Sequence, residues 1–420
     1  MARHRRRAAL TAGLIGRRAA GVHAAGRAGL RAALAAGLAT ALPALAGACA
    51  EITDPTSPPV RFATVEVGGA HSCAVSTEGD AYCWGRGANG ELGEGRTRST
   101  GEPVRVAADR AWTGLALGFH HSCGLDEAGR VHCWGWNANE QLGLGPGATG
   151  VRRPNPVVGE LRFTAITAGW YHTCGLDEDG AAHCWGYNAH GQVGDGSTAD
   201  RPAPTPVAGG HRFEAIAAGG LHTCGVTTDG GAYCWGWNAW GQLGDGSTND
   251  SAVPTELAGA RRFDRIAAGF THSCGIARGG GAFCWGSNHR AELGINAVTM
   301  PGGPGVSTPM RVAREEDWLA VRAGLRYTCA VDVAGRAFCW GEGEDGQLGN
   351  GNTVLRDKPF HMREPRFREL VAGEGTHTCG VARTADRVYC WGYGEHGQLG
   401  RGEEAFVVSP RPIHDVTGDE

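Results

Sequence analysis

The sequence contains one motif seven times. Each copy has a histidine or tyrosine, a hydroxyl residue and a cysteine, and then a Cys-Trp-Gly triplet whose cysteine lies ten or eleven residues after the first. The first cysteines of the copies are Cys73, Cys123, Cys174, Cys224, Cys274, Cys329 and Cys379, so the period is 50 to 55 residues. A unit of this size cannot bury its own apolar face and must stack against its neighbours. The repeat therefore predicts a solenoid or a propeller.

Each copy is divided into short strand-like runs and turns. In the third copy the runs are Phe163 to Gly169, His172 to Leu176 and Ala181 to Trp185. An Asp-Gly turn separates the last two runs, and a glycine-rich loop follows the third. Strand, loop, strand, tight turn and strand describe a small antiparallel sheet, which is one blade of a propeller. We therefore predict an all-β, seven-bladed β-propeller over residues 62–420.

The C-terminal segment indicates how such a ring could close. Ser409 to Ile413 has the same alternation of prolines as Arg201 to Val207, so it looks like the start of a further unit. We expect this segment to pair with the N-terminal blade and to close the ring.

Large aromatic residues recur at two positions of the motif. One precedes the first cysteine by eleven residues, or by twelve in the last copy, and the other is the tryptophan of Cys-Trp-Gly. We expect both positions to pack between neighbouring blades, where a buried ring contributes about 1.5–3 kcal/mol. The first set is Phe62, Trp112, Phe163, Phe213, Phe263, Trp318 and Phe367.

The two cysteines of each copy are expected to face one another across the hairpin. Cross-strand neighbours in an antiparallel pair are close enough for a disulfide, whereas the alternative is a set of small buried thiols. A zinc site is disfavoured because there is no Cys-x-x-Cys spacing. The predicted pairs are Cys73 and Cys83, Cys123 and Cys133, Cys174 and Cys184, Cys224 and Cys234, Cys274 and Cys284, Cys329 and Cys339, and Cys379 and Cys390.

The N-terminus has the layout of an export signal over residues 1–48. Arginines continue to Arg31, an uncharged run of alanine and leucine follows, and Ala46-Gly47-Ala48 resembles a cleavage site. Cys49, the cysteine left over from the pairs, follows a lipobox-like stretch and is our candidate for lipidation. Simple cleavage and a basic cytoplasmic tail are the alternatives. Residues 49–61 would be the anchor and linker of an exported, lipid-anchored protein of the cell envelope.

The charge is unevenly distributed. Residues 1–48 contain eight of the 39 basic and none of the 43 acidic residues, which leaves 31 basic and 43 acidic residues, a net charge of −12, for the remainder. An acidic body repels a phosphate backbone, so we expect no nucleic-acid partner. The chain lacks the motifs of serine hydrolases, zinc proteases and P-loop enzymes. We therefore predict no enzymatic activity, no cofactor and no metal, and we interpret the recurring histidines as hydrogen-bond donors that hold loops.

These motifs resemble the repeat of the regulator of chromosome condensation family. The resemblance rests on His-Ser/Thr-x-x-Leu, the Asp-Gly turn, Cys-Trp-Gly-x-Asn and Gly-Gln-Leu-Gly, and it covers all seven copies. It implies a seven-bladed β-propeller. It would also imply nucleotide exchange on a small GTPase and docking on chromatin, which the export signal and acidic body argue against. An exported bacterial type, which binds a protein with one face, is the better match.

Positions that vary between copies are the candidates for recognition. The loop before the second strand and the loop after the third meet at one face of the disc, and aromatic residues concentrate there. We expect this face to bind an envelope or secreted protein, with a glycan or peptidoglycan fragment as the alternative ligand and a monomer as the state of the chain. Some of the rings could instead cover the blade tops. The candidates are Phe119, His120, Trp136, Trp170, Tyr171, Tyr187, His190, Trp237, Trp240, Phe270 and Tyr393.

Overall fold

The computed structural model describes residues 59–300, 303–373, 375–402 and 405–416. The predicted export signal, Cys49 and the linker up to residue 58 lie outside the described residues. The described part of the chain consists of 28 strands in seven four-stranded antiparallel sheets. Within it, no helix is long and apolar enough to cross a bilayer.

The sheets follow one another along the chain, and each is built from four consecutive strands. Blade 1 contains β1 (Phe62–Val67), β2 (His71–Ser76), β3 (Ala81–Gly85) and β4 (Thr100–Arg105). Blade 2 contains β5 (Trp112–Leu117), β6 (His121–Asp126), β7 (Val131–Gly135) and β8 (Val151–Pro156). Blade 3 contains β9 (Phe163–Ala168), β10 (His172–Asp177), β11 (Ala182–Gly186) and β12 (Arg201–Pro206). Blade 4 contains β13 (Phe213–Ala218), β14 (His222–Thr227), β15 (Ala232–Gly236) and β16 (Ser251–Glu256).

The remaining three blades have the same plan. Blade 5 contains β17 (Phe263–Ala268), β18 (His272–Ala277), β19 (Ala282–Gly286) and β20 (Val306–Arg311). Blade 6 contains β21 (Trp318–Ala323), β22 (Tyr327–Asp332), β23 (Ala337–Gly341) and β24 (Arg356–His361). Blade 7 contains β25 (Phe367–Ala372), β26 (His377–Ala382), β27 (Val388–Tyr393) and β28 (Phe406–Pro412). The prediction of an all-β, seven-bladed propeller is confirmed.

The first strand of every blade faces the axis of the ring, and the fourth strand is outermost. Residues of all seven first strands line an axial channel with a volume of about 220 Å³. The fourth strand was not predicted, because each copy of it contains proline. Proline cannot donate a ladder hydrogen bond, but an edge strand tolerates it. A proline-rich run that is typical of a loop in sequence is therefore the outer edge of each blade.

The disulfides pack on the aromatic residues of the next blade. Cys123 and Cys133 of blade 2 share a buried cluster with Phe163 and Trp185 of blade 3. The same arrangement recurs at the other six interfaces, including that between blades 7 and 1. The prediction that both aromatic positions pack between blades is thus confirmed.

All seven predicted cysteine pairs are disulfides in the structure. The paired residues lie directly opposite one another in the hairpin, with Cα atoms 4.0 to 4.2 Å apart. The extra residue in the turn of blade 7 leaves Cys379 and Cys390 in register. Seven disulfides indicate an oxidising compartment.

Blades 7 and 1 are joined by side-chain packing, and among the described strands none of blade 7 pairs with a strand of blade 1. The expectation that Ser409 to Ile413 pairs with the first blade is wrong, because this segment forms β28 and pairs with β27 in its own blade. It nevertheless contacts blade 1, since Ile413 packs with Trp84 in the closing cluster. Gly402 also donates a backbone hydrogen bond to Gly101 at 3.1 Å. The analogous outer bond joins the other six pairs of neighbouring blades.

A circular belt of side-chain hydrogen bonds joins the blades near the axis. His172 Nε2 lies 2.9 Å from the Thr223 hydroxyl of the next blade, and that hydroxyl donates to the Gln192 carbonyl at 2.9 Å. Because the hydroxyl donates its proton to the carbonyl, Nε2 must be the donor of the first bond. Trp235 Nε1 donates to the same carbonyl at 3.0 Å.

The belt is complete around the ring. Six histidines reach the next blade's hydroxyl at 2.8 to 2.9 Å, and in blade 6 the Tyr327 hydroxyl donates to the His377 carbonyl at 2.6 Å. The histidines therefore hold blades together, which goes beyond the loop-holding role expected for them. They are His71, His121, His172, His222, His272 and His377.

Candidate recognition surface

The loops before each second strand and after each third strand meet at one end of the ring. His120 and Trp136, which come from these two loops of blade 2, have ring centroids 5.8 Å apart. Trp136 in turn lies 5.7 Å from Tyr171 of blade 3. The eleven candidate side chains are all partly exposed, neither fully buried nor free of contacts.

Nine of the candidates form one connected set of rings. Its centre is Trp170, whose centroid is 4.6 Å from Phe119, 6.0 Å from Tyr171 and 4.0 Å from Phe270. Ring contacts then continue outward through the neighbouring loops. We call the following nine residues the aromatic surface: Phe119, His120, Trp136, Trp170, Tyr171, Tyr187, His190, Trp237 and Phe270.

A glycine in blade 4 allows the central stack to form. Trp170 of blade 3 and Phe270 of blade 5 stack with an interplanar angle of 17°, although blade 4 lies between them. The residue at the equivalent position of blade 4 is Gly220, and a Cβ atom there would lie 2.3 Å from the Phe270 ring. A side chain at this position would therefore displace Phe270 and separate the two rings.

Two polar pairs support the edges of the aromatic surface. Arg86 Nη1 lies 3.2 Å from His120 Nδ1, and burial together with this guanidinium lowers the pKa of His120 to about 4. His190 Nδ1 lies 2.8 Å from the Asp250 carboxylate in the loop of the next blade. His120 is thus neutral near neutral pH.

Two candidates lie apart from the connected rings. Trp240 contacts His289 at 4.8 Å and shares a pocket with Trp237 and Phe270, so it borders the aromatic surface. Tyr393, the last residue of β27, hydrogen-bonds Glu395 in the loop that follows, and no ring contact joins it to the others in the described part of the chain. Position along the motif predicted which face Tyr393 lies on, but not its distance from the other rings.

The axial channel contains a small charged group. Glu66 of blade 1 and Arg322 of blade 6 line it, and Glu369 of blade 7 lies near both. Burial and the neighbouring Glu369 raise the pKa of Glu66 to about 8, although Arg322 opposes this shift. The group is a pair of carboxyls with one guanidinium, and no cysteine, serine or histidine accompanies it among the lining residues.

The described residues contain no cluster of three or more histidine, cysteine, aspartate or glutamate side chains placed to hold a metal. The recurring histidines are buried in the belt, and burial lowers the pKa of each to about 3. These imidazoles are neutral structural donors without access to a ligand.

Sequence reasoning missed three polar residues beside the aromatic surface. Arg290 and Arg326 line the pocket next to Trp237 and Trp240, and His289 forms part of its wall. Arg326 occupies the motif position of Tyr171 and Arg290 that of Trp240, whereas His289 lies where blades 2 to 4 have alanine. A search restricted to aromatic side chains selects neither arginine, whereas a search for charged residues in these loops finds both.

Seven like blades around an axis define a β-propeller. The model of the RCC1-like domain family matches residues 21–300 and, in a second overlapping match, residues 160–419. The chain therefore belongs to the RCC1-like domain family.

Similar proteins of known sequence match over short segments. The chain is 33% identical over 103 residues to the E3 ubiquitin-protein ligase HERC2 of Homo sapiens, and 32% identical over 101 residues to the Ultraviolet-B receptor UVR8 of Arabidopsis thaliana. It is 31% identical over 100 residues to the Regulator of chromosome condensation of Xenopus laevis. The segments cover 24%, 24% and 23% of this chain, but only 2%, 23% and 23% of those proteins.

Two solved structures share the fold over most of the chain. Human WBSCR16 superposes with a TM-score of 0.69 at 22% identity, covering 77% of this chain and 88% of that one. Prp20p from Saccharomyces cerevisiae superposes with a TM-score of 0.71 at 20% identity, covering 85% and 88%. Prp20p has binding properties toward Gsp1p and histones. At this identity, the likeness shows the fold alone.

Proposed function

We propose that this chain is a non-catalytic recognition propeller of the cell envelope that binds a protein through its aromatic surface. The proposal includes export and a lipid anchor at Cys49, for which the oxidising compartment indicated by the disulfides is the support. The observation that carries the binding role is the connected set of nine partly exposed rings on one face. Large aromatic side chains in loops are typical anchors of protein interfaces.

The ring geometry favours a protein over a sugar. A sugar stacks on an open aromatic face, but Phe270 covers one side of Trp170 at 4.0 Å and Phe119 packs on it at 4.6 Å. The Trp170 Nε1 atom is also buried without a hydrogen-bond partner. A packed aromatic cluster suits a partner side chain that fills the gaps between its rings, whereas a glycan would need a flat, open platform.

Two solvent-accessible phenylalanines provide a matched test. Phe270 belongs to the aromatic surface and is partly exposed, while Phe360 lies on the outermost strand β24 and is 37% exposed. We expect Phe270→Ala to weaken capture of the partner at least about 30-fold, since truncating an interface anchor costs about 2 kcal/mol or more. Phe360→Ala should leave capture unchanged. The measurement is affinity capture from envelope and secreted proteins, followed by binding titration of the protein identified.

A third variant tests whether binding depends on the arrangement of the rings as well as on which rings are present. Gly220→Ala keeps every ring but pushes Phe270 away from Trp170, and we expect it to weaken capture as well. Equal capture by the parent, Phe270→Ala and Gly220→Ala proteins would contradict the proposal. Capture of polysaccharide or peptidoglycan instead of protein, lost in the same variants, would assign the surface to a glycan.

A further inference from the structure

A pocket opens beside the aromatic surface, between the loops of blades 4, 5 and 6. Its volume is about 360 Å³. Trp237, Trp240 and Phe270 line it together with Arg290 and Arg326. The pocket thus combines an apolar side with two positively charged groups, unlike the rest of the aromatic surface.

The two guanidinium groups are only partly engaged by the protein. Arg290 Nε and Nη1 each lie 3.3 Å from a carboxylate oxygen, of Glu342 and Glu344 respectively. Arg326 Nη1 approaches the same Glu342 oxygen at a longer 3.7 Å. Each arginine carries five N–H donors, so most of the ten remain unused. Both side chains are close to half exposed, at 43% and 47%.

Three carboxyl groups lie near the pocket, those of Glu292, Glu342 and Glu344. Glu292 is 1% exposed, and its oxygens accept hydrogen bonds from the Ser287 hydroxyl at 3.0 Å and the Arg290 backbone N–H at 2.8 Å. Burial raises the pKa of both Glu292 and Glu342, while Arg326 and Arg290 oppose the shift at Glu342. Glu344 is 70% exposed, so solvent screens its charge. The N–H donors that these carboxyls leave unused on the two half-exposed arginines can therefore bind a further carboxylate.

The three aromatic side chains that line the pocket determine which chemical group of the ligand can lie beside its carboxylate. Trp240 stands nearly perpendicular to His289, at an interplanar angle of 84°, and Phe270 lies 6.3 Å from Trp237. An apolar or aromatic group can fill the space between these rings while a neighbouring carboxylate reaches the arginines. Guanidinium and carboxylate form paired, charge-assisted hydrogen bonds, which fix the orientation of the ligand.

We propose that this pocket binds an aspartate or glutamate side chain of the protein partner, adjacent in its sequence to an aromatic residue. The pocket would orient the partner, while the central rings of the aromatic surface supply most of the contact. The inference rests on the proposed function and adds the chemistry of the partner segment.

Blocked dipeptides test the chemistry directly. We expect N-acetyl-Phe-Glu-amide to bind the protein at least about tenfold more tightly than N-acetyl-Phe-Gln-amide, because only the former has a carboxylate for the arginines. Binding is measured by ligand-observed NMR titration. In the Arg326→Gln variant, which keeps only Arg290, the difference between the two dipeptides should become smaller.

Arg278→Gln is the matched control. Arg278 is also 47% exposed and has a carboxylate partner at 3.0 Å, but it lies at the opposite face of the ring. It should leave the preference for the glutamate dipeptide intact. Equal affinity for the two dipeptides in the parent protein would overturn the proposal. Tighter binding of glucuronic acid than of either dipeptide, lost in Arg326→Gln, would also overturn it in favour of an acidic sugar.

The outcomes of the two tests can be told apart, although Phe270 belongs both to the pocket and to the aromatic surface. If neither dipeptide binds and Arg326→Gln still captures the partner, the pocket proposal fails while the role of Phe270 stands. If Phe270→Ala captures the partner as well as the parent does, the proposed function fails whatever the dipeptides show.

Discussion

The propeller is expected to unfold cooperatively between about pH 6 and pH 4, since six buried histidines must stay neutral for the ring to hold. Burial lowers the pKa of each from 6.5 to about 3. Below pH 6.5 the unfolded chain binds protons that the folded chain does not. Stability is therefore lost as the pH falls from 6.5 towards 3, and it is fully present above that window.

The expected effect is large because the six sites act together. Each histidine reduces the free energy of unfolding by about 1.4 kcal/mol per pH unit inside the window, or about 8 kcal/mol per unit for six. A domain is stable by about 5–15 kcal/mol, so two pH units suffice to unfold it. Circular dichroism and tryptophan fluorescence, followed through an acid titration, measure the midpoint.

Blade 6 provides the control, because Tyr327 replaces the histidine there without breaking the belt. Tyr327→His, which adds a seventh titrating group, should move the acid midpoint to higher pH. His172→Tyr removes one titrating group, and the next blade still offers the Thr223 hydroxyl as a partner. This variant should move the acid midpoint to lower pH. Identical midpoints in the two variants and the parent would show that the belt does not govern acid stability.

Full reduction is expected to prevent the chain from refolding. A disulfide that closes a loop of about eleven residues contributes roughly 2–3 kcal/mol, so seven contribute about 15–20 kcal/mol. This exceeds the whole stability of a typical domain. The protein is unfolded in urea with dithiothreitol, its thiols are alkylated and the urea is removed. We expect the product to remain unfolded by circular dichroism.

The same bridges should resist reductant in the folded protein. All fourteen paired cysteines are 0% exposed, because the next blade covers them. Dithiothreitol without denaturant should therefore release no thiols, as measured with a thiol reagent. The double variant Cys174→Ala, Cys184→Ala should lower the free energy of unfolding by at least about 2–3 kcal/mol. Rapid reduction at neutral pH, or refolding of the alkylated chain, would contradict this account.

Most of the fold could be predicted from the sequence because the same pattern of residues recurs in all seven copies. Two cysteines at a constant spacing, with an aromatic residue at a constant offset, define one hairpin and its neighbour. The fourth strand was missed because proline is a signal for a loop, and only the position at an outer edge makes a strand of it. The pairing of the C-terminal segment was wrong for the same reason, since β28 resembles an opening unit only through its prolines.

The candidate surface was only partly predictable. The motif fixes which loop residues share a face, so the rings of blades 2 to 5 could be selected. The motif does not determine how far a side chain extends toward the neighbouring blades. The stack of Trp170 on Phe270 depends on the absence of a side chain at Gly220, which is a property of a third blade. The pocket at Arg326 likewise needs three blades at once.

The chain can be opened at any of seven places without dividing a sheet, since all four strands of every blade are consecutive in the sequence. Circularly permuted forms that begin at β5, β9 or any other first strand should therefore assemble the same ring once its present two ends are linked. The first and last described residues of the propeller lie side by side, with the Val60 N–H bonded to the Val416 carbonyl at 2.9 Å.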